Sequence, residues 1–97
     1  MFARVTTFQM KSDKVDETIK IYKEIIIPRR KTRKGAVGAL FLTDRKTNKG
    51  MAISLWDSEE DALANEQSGY YQESLNKFKD VFAAPTVREG YDVSAQD

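Results

Sequence analysis

Residues 2–10, Phe-Ala-Arg-Val-Thr-Thr-Phe-Gln-Met, are rich in β-branched and aromatic side chains and predict a first strand. Phe2, Arg4, Thr6, Phe8 and Met10 fall on one face, and Ala3, Val5, Thr7 and Gln9 on the other. Neither face is clearly polar, the pattern of a sheet covered on both sides. The period then changes. Val15, Ile19, Tyr22 and Ile26 follow at helical spacing, widened by Ile25 and Ile27. Ser12 or Asp13 is expected to cap this helix, with Asp16 and Glu17 in its first turn. Pro28 is expected to kink or end it, because its ring clashes with the carbonyl of Glu24 and it donates no hydrogen bond. The polar run that follows can extend one more turn before Gly35, a suitable left-handed terminator.

Two apolar runs, 36–43 and 51–56, flank the turn-forming stretch Asp44-Arg45-Lys46-Thr47-Asn48-Lys49-Gly50 and predict an antiparallel hairpin. Ser58 followed by Asp61 is a helix-capping pattern, so a second helical region starts there and runs to about Gln67. Ser68-Gly69 interrupts it. Tyr71, Leu75, Phe78 and Phe82 then recur at helical spacing, and Pro85 marks the stop. Residues 86–93 alternate, with Val87, Glu89, Tyr91 and Val93 on one side, and predict a fourth strand.

The order is βαββαβ. Right-handed crossovers give an α+β, ferredoxin-like domain over residues 1–97: a four-stranded antiparallel sheet with the helices on one face. Helices cover one face only, yet the strands are apolar on both. A second copy of the chain over the bare face, a homodimer, is the simplest solution.

Composition narrows the chemistry. Sixteen Lys and Arg balance fifteen Asp and Glu to +1, without the basic excess of a nucleic-acid binder. The chain has no Cys and no His. Disulfides, thiolate catalysis and Cys-ligated zinc are excluded, and the usual base near neutral pH and the usual transition-metal ligand are missing. The N-terminus lacks the pattern of a signal peptide, and no apolar run approaches the roughly 20 residues that span a bilayer. A soluble, cytoplasmic protein without nucleic-acid or membrane partners is expected.

The stretch Leu55-Trp56-Asp57-Ser58-Glu59-Glu60-Asp61-Ala62 leads an apolar strand through a bulky aromatic into a capped acidic helix. Together with Arg4-Val5-Thr6-Thr7 and Gly38 to Asp44, it resembles the antibiotic-biosynthesis-monooxygenase-like proteins of the dimeric α/β-barrel superfamily. The element order agrees over nearly the whole chain. The resemblance implies two ferredoxin-like protomers with sheets packed face to face, and a cavity between each sheet and its helices. Some members oxygenate aromatic polyketides without a cofactor; others bind and degrade haem. The haem branch has an Asn in strand one, a Trp in the helix after strand three and a later His ligand. Thr6, Ala64, and Ser74 or Leu75 stand at those places, so the resemblance does not extend to haem.

By the same likeness Arg4, Thr6 and Phe8 face the helices and join Trp56 as candidate substrate-pocket residues. Trp56 reads first as a core or interface plug whose indole N–H finds one acceptor, and second as a pocket wall. Arg4 must pair or lie at an opening; a pair with a carboxylate such as Glu89 is favoured over an anionic ligand. Tyr22, Tyr70, Tyr71 and Tyr91 are candidate pocket tyrosines. Tyr22 and Tyr71 lie on the apolar stripes and are the candidate catalytic donor or base. The run Arg29-Arg30-Lys31-Thr32-Arg33-Lys34 reads as a solvated helix end rather than a phosphate site. The acidic residues after Trp56 are explained by their helix start, so no metal is expected.

The leading expectation is a cofactor-independent monooxygenase of a small aromatic or quinol-type molecule. The alternative is a non-catalytic dimeric protein of the same fold that binds a small ligand or serves in stress.

Overall fold

The computed structural model describes residues 1–97, apart from the side chain of Tyr70. Four strands, β1 (Phe2–Gln9), β2 (Ala36–Asp44), β3 (Lys49–Trp56) and β4 (Val87–Asp92), form one sheet in the order β2-β3-β1-β4. All neighbours are antiparallel. This is the ferredoxin-like arrangement that the element order predicts.

The register fixes which residues share a face. Phe2, Arg4, Thr6 and Phe8 lie opposite Trp56, Ser54, Ala52 and Gly50. These positions face the helices. The Phe8 ring covers Gly50 so closely that a Cβ there would collide with it, which is why a glycine stands at that point of β3. A bulge between Ala36 and Gly38 shifts the start of β2.

The first helix runs as α1 (Val15–Ile21), a π-helical turn (Tyr22–Ile26) and α2 (Ile27–Arg30). One expectation is corrected here. Lys14 occupies the N-cap position with no side-chain cap, because residues 11–14 close a tight turn through Lys14 N–H to the Lys11 carbonyl at 3.0 Å. Of the two effects expected of Pro28, it does not end the helix, which continues to Arg30, and the irregularity falls just before the proline. The Ile27 N–H reaches back to the Tyr22 carbonyl, and this wide turn around Glu24 accommodates the proline ring. Gly35 terminates the segment with φ 80°, a conformation that glycine adopts without steric cost.

On the second crossover, α3 (Glu59–Gln67) starts at Ser58, whose Oγ accepts from the Asp61 N–H at 3.1 Å as the capping pattern predicts. Ser68 is extended, and α4 (Gly69–Asn76) follows. Phe78 and Phe82 lie beyond the helix that their spacing predicted. The chain leaves α4 to bond the end of β1: Lys11 N–H to the Val81 carbonyl at 2.9 Å and Ala83 N–H to the Gln9 carbonyl at 2.7 Å. That detour seals Met10, Phe78 and Val81 into the core.

The opposite face of the sheet is bare. Leu40, Leu42, Val87 and Tyr91 are all about half exposed there. No helix among the described residues is long and apolar enough to cross a membrane.

Candidate functional site

A cavity of about 130 Å³ lies between the helix-facing side of the sheet and the helices. Its existence follows from side-chain size. Thr6, Ala52 and Ser54 are small residues at the sheet's centre, flanked by Phe8, Phe41 and Trp56. A chain of near-parallel rings forms the apolar wall. Centroid distances are 4.3 Å from Tyr22 to Phe41, 5.4 Å from Phe41 to Phe8, 4.8 Å from Phe8 to Phe82 and 5.3 Å from Phe82 to Phe78. Hydroxyl-bearing residues line the same space: Thr6 and Ser54 from the sheet, Tyr22 from the first helix, Tyr71 and Ser74 from α4, and Thr86 before β4.

The first helix contributes Tyr22, Ile26 and Arg30. In an unbroken α-helix, residues eight apart lie about 80° round the axis from one another. Absorbing one residue in the wide turn brings Arg30 back to within about 20° of Tyr22. The π turn thus aims Arg30 at the cavity.

Of the sequence-derived candidates, Thr6, Phe8, Tyr22, Trp56 and Tyr71 all line the cavity. Trp56 is also a plug: it is buried with Phe2 and Ala62, and its Nε1–H donates to Ser54 Oγ at 3.1 Å. Arg4 shares the face but does not line the cavity. Its Nε and Nη2 donate to Glu66 on α3 at 2.5 and 2.9 Å, and Arg88 approaches the same carboxylate at 3.7 Å. The partner is therefore Glu66, not Glu89. Glu89 lies opposite Val5 in the register and belongs to the bare face, beyond reach of Arg4. Tyr91 shares that bare face, and the Tyr70 side chain lies outside the described residues.

Arg30 is the residue that reading the sequence missed. It is only 8% exposed, although it belongs to a run that reads as solvated. The signal was present: Arg30 falls four residues after Ile26, in line with the apolar stripe. Its Nη2 donates to the Leu55 carbonyl at 2.8 Å, and its guanidinium lies 5.1 Å from the centre of the Trp56 ring.

Burial pushes the Tyr22 phenol above its ordinary value of 10.0, against an opposing pull from Arg30. At neutral pH Tyr22 is a hydrogen-bond donor, not a base. The unfolded chain releases this proton first as pH rises, so the stability due to Tyr22 is complete below about pH 10 and falls as pH climbs through the folded value. Thermal melts between about pH 9 and 11 should show the wild type losing more stability than Tyr22→Phe. Parallel curves would mean that the phenol is not held neutral by burial.

No protein-family model matches the chain. Over 60 residues it is 30% identical to the uncharacterized proteins Rv2557 and MT2634 of Mycobacterium tuberculosis, a match covering 62% of this chain. The chain spans only 27% of the length of these curated relatives. Solved structures match almost end to end. The NE2512 protein of unknown function from Nitrosomonas europaea aligns with a TM-score of 0.82 at 10% identity, over 99% of this chain and 91% of that one. Rv0793 from Mycobacterium tuberculosis aligns at 0.77 and 10% identity, over 98% and 96%. A protein named antibiotic biosynthesis monooxygenase aligns at 0.78 and 10% identity, over 98% and 100%. At such identities the likeness is one of fold. The chain has the fold of the antibiotic-biosynthesis-monooxygenase-like proteins, as its sequence resemblance implied.

Proposed function

We propose that the protein is a cofactor-independent monooxygenase of single-ring phenols or quinols, acting as a homodimer closed over the bare sheet face. The observation that carries this reading is the small aromatic-walled cavity on which the hydroxyl-bearing residues Thr6, Tyr22 and Tyr71 converge. Its volume of about 130 Å³ is close to the roughly 150 Å³ of an apolar cavity that accepts benzene, which favours a single-ring substrate over a fused tricyclic one. The substrate supplies the electrons. A hydroquinone and O₂ give a hydroxyquinone and water: one oxygen atom enters the ring, and the other leaves with two substrate hydrogens. Tyr22, kept protonated by burial, donates to the developing oxyanion, while Tyr71 exchanges the proton and Thr6 orients the ring.

The alternative, a non-catalytic binder of a small ligand, draws support from the same volume, which is below the roughly 300–1,000 Å³ of ordinary ligand pockets. Oxygen-electrode assays with hydroquinone and methylhydroquinone separate the two. The enzyme should consume O₂ in step with product, and the Tyr22→Phe, Tyr71→Phe double variant should be slower by about 10²-fold or more. Uptake no faster than autoxidation, or an unaffected double variant, would leave the binding protein.

A further inference from the structure

Among the described residues, the cavity lining carries a single formal charge, and that charge is positive: Arg30 lines it, and no Asp or Glu does. The guanidinium is held in part by the Leu55 carbonyl and by the nearby indole ring of Trp56. A cation fixed in a low-dielectric enclosure projects its field into that space far more strongly than one in water. Its influence is felt at the Tyr22 phenol on the same wall.

We propose that the cavity selects an anion: one small ring bearing a carboxylate or phenolate oxygen that lies against the Arg30 guanidinium. Arg30 is then the specificity-determining residue of the site. An anionic oxygen there gains charge-assisted hydrogen bonds that a neutral group of the same shape does not. The ring lies against the aromatic wall to which Phe41 and Phe8 belong, and Tyr22 and Thr6 bring hydroxyls to the same cavity. The inference rests on the proposed oxygenase for its chemistry only, since it names the ionised substrate as the form that binds. Binding itself can be measured without turnover.

Benzoate and benzamide make the test, being nearly the same shape and differing in charge. Trp56 is the only tryptophan of the chain and lines the cavity, so its fluorescence reports occupancy, with calorimetry as the second readout. At about pH 7.5 the wild-type chain should bind benzoate at least about tenfold more tightly than benzamide. Arg30→Met should abolish that preference, and Arg30→Lys should keep part of it. The wild-type comparison stands even if a buried-site variant fails to fold. Benzamide binding as tightly as benzoate overturns the proposal. So does the absence of binding by either up to about 10 mM, or a folded Arg30→Met protein that still prefers benzoate. A lack of O₂ uptake alongside an intact benzoate preference removes the oxygenase reading and leaves this one standing.

Discussion

Replacing Trp56 with alanine is expected to cost about 3–5 kcal/mol of stability, the range for truncating a buried Trp or Phe. The side chain is 2% exposed, packed with Phe2 and Ala62, and bonded through its indole to Ser54. It also supports the aromatic side of Arg30. Truncation therefore removes a large apolar contact, leaves the Ser54 hydroxyl without its donor and frees a buried cation to move. A domain of this size has about 5–15 kcal/mol in all, so the variant should unfold in much lower urea and lie near the limit of folding at 37 °C. A loss below about 1 kcal/mol would show that Trp56 is a replaceable wall of the cavity rather than a structural plug.

The second large effect concerns the bare face of the sheet. Leu40 and Leu42 are 55% and 47% exposed on β2, with Val87 and Tyr91 on the same side of β4. If two copies shield one another there, each substitution occurs twice in the interface. Leu40→Asp with Leu42→Asp would bury four carboxylates against apolar surface. Each carries a desolvation penalty of several kcal/mol, enough to weaken association by about a thousandfold or more. Sedimentation at micromolar concentration should show a dimer for the wild type and a monomer for the double variant. Both leucines lie outside the protomer's buried core, so circular dichroism should change little. A wild-type chain that sediments as a monomer would end the dimer reading without touching the cavity.

Local physics explains which features the sequence revealed. The strand faces, the hairpin, the Ser58 cap and the break at Ser68 all depend on residues within a few positions of one another. The errors lie where a distant segment overrides a local preference. Phe78 and Phe82 carry a helical period, but Lys11 and Gln9 draw that segment out of the helix into hydrogen bonds at the end of β1. Glu66 reaches Arg4 across 62 positions, a pairing that no spacing rule anticipates. Arg30 was misplaced for a different reason. Charge composition suggested solvent, whereas helical phase, altered by the π turn, directs it inward. Thr6 and Phe8 were legible because strand alternation groups them on one face, and the family resemblance turned that face, with Trp56, toward the helices.

The wide turn in the first helix also determines where a change in chain length would matter. Deleting one residue between Tyr22 and Ile26 would let the wide turn close into an ordinary α-turn. Arg30 would then lie seven positions from Tyr22 in an unbroken helix, still within about 20° of it, so the cation would keep its place in the interior. The shortened helix would instead lose its room for Pro28, whose ring would meet the carbonyl four residues earlier. One peptide unit thus lets a helix-breaking residue sit beside a correctly aimed charge.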